Sequence, residues 1–62
     1  MQLNLRAARV NAGLSVEEAA RSLGIVPATL RKWENEITYP TTDRIPDIAQ
    51  TYGLKPNDIK FF

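Results

Sequence analysis

The side chains of this 62-residue chain that can do chemistry are hydrogen-bond donors rather than nucleophiles. It has no His and no Cys. That removes the usual zinc ligand sets, disulfide staples and the imidazole and thiol groups of most covalent and acid–base catalysis. No pair of carboxylates has a convergent context either, so the chain reads as a non-enzyme without cofactor or evident small-molecule ligand. What remains is a donor-rich stretch. Thr29, Arg31, Lys32, Asn35, Thr38, Tyr39, Thr41 and Arg44 carry hydroxyl, amide, ammonium and guanidinium groups. On an unrelated helical protein, neighbours such as Arg31 and Lys32 more often form a solvated face. The eight Lys and Arg against seven Asp and Glu, net +1, describe an ordinary surface and do not decide the matter. The decision depends on how those charges are sorted in space.

Positioning such groups falls to helices. Leu3, Leu5, Ala8 and Ala12 recur at helical spacing and predict a first helix over about Leu3 to Ala12, with Gly13 just past its end. Ser15 opens a second helix, and Glu18 three residues on completes a capping box. Val16, Ala19, Ala20 and Leu23 form its apolar face, and Gly24 closes it. Pro27 suits the first turn of a third helix, because its missing N–H has no intrahelical acceptor there. Val26 before it is pushed toward extended backbone, as an N-cap requires. Leu30 and Trp33 face inward from this helix, predicted over Pro27 to Asn35, and Trp33 reads as core rather than as a stacking platform. After a loop from Glu36 to Thr41, a fourth helix begins near Thr42 or Asp43. It carries Pro46 in its first turn, an inward stripe of Ile45, Ile48, Ala49 and Tyr52, and Gly53 at its end. Pro56 or Asn57 starts a short fifth helix with Ile59 and Phe62 facing in. No strand pattern or repeat is visible. The expected architecture is all-α: one domain over residues 1–62, a compact bundle of five short helices.

A chain this short buries only about 60% of its unfolded surface, so stability must come from efficient local packing. No signal peptide and no apolar run long enough for a membrane span is seen. With no Cys present, an intracellular setting is expected.

The run SVEEAARSLGIVPATLRKWENE resembles the helix-turn-helix of the phage-repressor and Cro-like family, often called the XRE family. Upstream, LRAARVNAGLS is similar to that family's first helix and the junction after it. Downstream, YPTTDRIPDIAQTYGLKPNDI is similar to its last two helices. The resemblance spans about Leu3 to Ile59 and implies a lambda-repressor-like domain binding a double-stranded DNA operator, of repressor or Cro type, in the cytoplasm of a bacterial cell or phage-infected host.

It also implies residue roles. The third helix would lie in the major groove, with Pro27, Ala28, Thr29 and Lys32 toward base edges. Pro27 and Ala28 offer only apolar contact, suited to a thymine methyl group; Thr29 and Lys32 can hydrogen-bond. Phosphates would be met at the start of the second helix, through backbone N–H groups around Val16 and Glu17. Further phosphate contacts are implied for Arg31, Asn35, Thr38, Tyr39, Thr41 and Arg44. Arg9 and Glu34 match a structural ion pair that ties the first helix to the third. Dimerisation is expected, because one helix reads only a few base pairs, and Phe61 and Phe62 are the candidate contacts.

The chain departs from the family pattern at several outward positions. Val16 stands where Gln is usual, Pro27 and Ala28 where polar readers are common, Glu36 where Gly is frequent and Ile37 where a basic residue is common. Two other readings therefore compete. One is a protein-interaction module on the same fold, antirepressor- or antitoxin-like. The other is a winged domain of MerR or excisionase type, which the full first helix and the helical region after Pro40 oppose.

Overall fold

Helices of seven or eight residues do not hold alone in water, so the four α-helices here are defined by their caps and by what they bury. The computed structural model describes residues 2–61. Strand β1, Leu3–Asn4, leads into α1, Leu5–Asn11, followed by α2, Val16–Leu23, and α3, Pro27–Glu34. A 3₁₀ turn at Thr42–Arg44 runs into α4, Ile45–Thr51, and a second at Pro56–Asp58 runs into β2, Ile59–Lys60.

Each helix start has a local cause. The Asn4 side chain accepts the Ala7 N–H at 2.7 Å. The Glu18 N–H donates to Ser15 Oγ at 3.1 Å while the Ser15 N–H donates to Glu18 Oε1 at 2.9 Å, the reciprocal box expected there. Those two bonds, the backbone one first, hold the Glu18 carboxyl below its ordinary pKa. Val26 is extended (φ −82°, ψ 150°) ahead of Pro27, and Pro46 falls in the first turn of α4.

The helix ends share one closure. Leu14 N–H donates to Arg9 O, Ile25 N–H to Ala20 O, Ile37 N–H to Lys32 O and Leu54 N–H to Ala49 O, at 2.9–3.2 Å. In each case the residue before the donor sits at positive φ, as this Schellman closure needs. Three of those residues are glycines: Gly13, Gly24 and Gly53. The fourth is Glu36, at φ 59°, ending α3.

The buried residues join into one core: Leu5 and Ala8 from α1, Ala19, Ala20 and Leu23 from α2, Leu30 and Trp33 from α3, Ile48 and Ala49 from α4, and Tyr52, Ile59 and Phe61. Ala20, 1% exposed, lies on α2, which packs against both α3 and α4. A larger side chain there would drive the helices apart.

Two expectations are corrected. No strand was expected, yet β1 and β2 pair in parallel, with Leu3 opposite Ile59 and Asn4 opposite Lys60. Leu3 therefore belongs to a strand, and α1 begins at Leu5. The expected fifth helix is only the 3₁₀ turn Pro56–Asp58; beyond it the chain extends, burying Ile59 and Phe61 on one side with Lys60 exposed between them. The chain's expected bundle of five is thus four α-helices plus this small pairing. Phe62 lies outside the described residues.

Candidate nucleic-acid interface

With Leu30 and Trp33 sunk in the core, the opposite side of α3 faces solvent. Ala28, Arg31, Lys32 and Asn35 are exposed, at the i, i+3, i+4 and i+7 spacing of one helical face. Pro27 and Thr29 are half-buried beside it. The expected reading residues thus divide: Ala28 and Lys32 stand fully on the outer face, and Pro27 and Thr29 at its margin.

The charges on and around this face are already partly paired. Arg31 Nη2 lies 2.9 Å from Glu17 Oε2 on α2, an ion pair with both side chains more than half exposed. Asn35 Oδ1 accepts a hydrogen bond from Arg6 Nη2 at 3.1 Å. Lys32 carries no hydrogen bond or ion pair among the described residues, so its ammonium is free for a ligand.

Behind the face, the Arg9–Glu34 pair forms as expected. Arg9 Nε donates to Glu34 Oε2 at 2.7 Å and Nη2 to Oε1 at 3.3 Å, while Nη1 reaches Leu14 O at 3.0 Å. The Glu34 side chain is only 3% exposed. The bond to Glu34 raises the Arg9 pKa further, ahead of the opposing effect of burial. Arg6 adds a third member, its Nε 3.5 Å from Glu34 Oε1. Its position three residues before Arg9 on the same helix carried that signal. Tyr52 lies beneath the cluster with its hydroxyl buried and, among the described residues, without a hydrogen-bond partner. Burial, and secondarily the Glu34 charge, push its pKa up to about 12.

The flanking residues expected at phosphates are placed as follows. Val16 is half-buried against the core, so only its backbone faces outward chemistry. The amides of Val16 and Glu17 fall at the helix start, where no intrahelical acceptor exists. Thr38, Tyr39 and Thr41 are exposed beyond α3. The Thr41 side chain hydrogen-bonds the Asp43 carboxyl, chiefly responsible for holding that group below its ordinary pKa. Arg44 is half-buried, and its Nη1 donates to Leu23 O at 3.0 Å. It braces the α2–α3 turn against the start of α4, a structural role that residue type alone did not reveal.

Two helices joined through Gly24, the second anchored by apolar residues and presenting a polar outer face, form a helix-turn-helix. A family model, Helix-turn-helix, matches residues 5–59. The chain belongs to the XRE/Cro/C1-type helix-turn-helix family. No curated protein and no solved structure matches it significantly. The family is one of DNA-binding regulators rather than enzymes, which assigns this helix-turn-helix domain the same general function. None of its described helices is long and apolar enough to cross a membrane. Phe61 is 8% exposed and packs within the domain's own core.

Proposed function

We propose that this domain, spanning residues 1–62, binds double-stranded DNA sequence-specifically as a small cytoplasmic transcriptional regulator of repressor or Cro type. Helix α3 enters the major groove, and Lys32 is the principal base reader. The observation that carries this reading is the outer face of α3, where the uncommitted Lys32 ammonium stands one turn from Ala28. Lysine pairs with the guanine acceptor edge, while Pro27 and Ala28 meet thymine methyl groups and Thr29 adds a hydrogen bond at the margin. Backbone amides at Val16 and Glu17, with Asn35, Thr38, Tyr39 and Thr41, face phosphates; Arg31 joins them only when released from Glu17, and Arg44 stays with the Leu23 carbonyl. Two copies bind together, their recognition helices about 34 Å apart. Phe61 lies in the core, and Phe62 is the residue proposed for that contact.

Selection of bound sequences from a random duplex pool tests this. The expected product is an enriched site of two related halves, and Lys32→Ala relaxes preference at one or two positions in each half. A pool no more selective than for a comparably charged inert protein would reject the reading. It would favour the protein-interaction alternative, which the exposure of Val26 (61%) and Ile37 (68%) at the two ends of α3 supports.

A further inference from the structure

The five arginines of the chain are not equally available to an anion. Arg6 and Arg9 converge on Glu34, and Arg44 on the Leu23 carbonyl, while Arg21 is exposed on α2. Arg31 alone stands on the outer face of α3, and it is held there by Glu17. The pair is solvent-exposed on both sides, so it contributes little to folding. Its consequence lies elsewhere. Glu17 sits at the second position of α2, and Arg31 reaches it across the helix-turn-helix junction. A phosphate approaching this junction meets a guanidinium whose charge is already answered and a carboxylate that repels it.

We propose that Glu17 is an intramolecular competitor for DNA phosphate, removing Arg31 from the electrostatic contact set and thereby restraining sequence-independent binding. The proposal rests on the DNA reading above and adds its regulation. To contact a phosphate, Arg31 must exchange one anion for another, with no net gain of an ion pair. The stranded carboxylate then remains near the backbone. Lys32, with no such competitor, keeps its full charge for the groove. Sequence-independent affinity is thereby lowered at the arginine on the outer face of α3.

A double-mutant cycle separates this from simple repulsion. Wild type, Glu17→Gln, Arg31→Gln and the double variant are titrated by fluorescence anisotropy with a labelled random-sequence duplex across a series of salt concentrations. Circular dichroism checks helix content for these exposed positions. Freeing Arg31 adds one neutralised phosphate, steepening the log–log salt slope by about 0.9. Between 50 and 200 mM salt, Glu17→Gln therefore loses about 3.5-fold more affinity than wild type, while binding more tightly than wild type at the lower salt. In the Arg31→Gln background the same substitution leaves the slope unchanged. Equal gains with and without Arg31 would overturn the proposal, since repulsion by the carboxylate would then suffice, and so would no gain at all. If wild type binds duplex no better than an inert protein of similar charge and Glu17→Gln does not either, the DNA reading falls and this proposal with it.

Discussion

Glu36 occupies the backbone conformation that glycine fills at the ends of the other three α-helices, and replacing it tests whether that closure is strained. Its φ of 59° places a side chain in the left-handed region, while its N–H still donates to Trp33 O at 3.2 Å and Ile37 closes on Lys32. That conformation costs a non-glycine residue about 1–2 kcal/mol. Glycine returns about 0.4–1 kcal/mol of this through the greater freedom of the unfolded chain. The difference favours Glu36→Gly by about 0.5–1 kcal/mol, or about 2–8 °C in Tm for a domain of this size. Losing a carboxylate at the negative end of the α3 dipole acts in the same direction.

Thermal unfolding followed by circular dichroism reads the effect. Glu36→Ala serves as the control, because it removes the charge and keeps the β-carbon. Glu36→Gly should melt highest, Glu36→Asn next, since Asn tolerates this region, and Glu36→Ala close to wild type. If Glu36→Ala gains as much as Glu36→Gly, charge rather than backbone strain is responsible. If Glu36→Gly melts at or below wild type, the strain argument fails.

Arg9→Ala leaves Glu34 buried without its closest cation and should cost about 3–5 kcal/mol. In urea unfolding, the paired replacement Arg9→Met with Glu34→Leu should lose far less than the two single variants together. Tyr52→Phe removes a buried hydroxyl that has no partner among the described residues, so stability in the same assay should hold or rise by about 1 kcal/mol. The folded-state Tyr52 pKa, about 12 against 10.0, means the native state keeps this proton longer. Its contribution is full below pH 10.0 and declines as pH rises toward 12, and Tyr52→Phe should lack that component of the alkaline loss. On the duplex recovered by selection, replacing thymine by uracil removes only the methyl group. Binding should weaken at the positions facing Pro27 and Ala28 and nowhere else, read as position-specific changes in Kd.

Local rules made most of the scaffold legible in the sequence. The Ser15–Glu18 box, Pro27 in a first turn and glycines after helices each act within a few residues, and all appear where their chemistry requires. The parallel strand pair was not legible, because its partners, Leu3 and Ile59, meet only after the whole bundle has folded. A two-residue strand also offers no alternation to detect. The tail contained a clue: Ile59 and Phe61 alternate around Lys60, a period of two, whereas a helix would have selected Ile59 and Phe62. The Arg9–Glu34 pair came from family resemblance, and Arg6 could have been added from its helical spacing. Arg44 could not, since its acceptor is a carbonyl, and every residue carries one.

The distribution of cations sets how this domain can bind DNA. A net charge of +1 already limits long-range attraction. Of the cations near the α3 face, Arg6, Arg9 and Arg44 hold the scaffold and Arg31 is answered by Glu17. On the proposed reading, a single copy docking through Lys32, backbone amides and the hydroxyls beyond α3 has few charged phosphate contacts, which predicts weak affinity for random duplex and a shallow salt dependence. Joining two copies on paired half-sites doubles the same short-range contacts without raising the charge of either. The same reading predicts that specific binding depends on two domains reading together, and that random sequence, which offers no second matched half-site, is left with the weak mode.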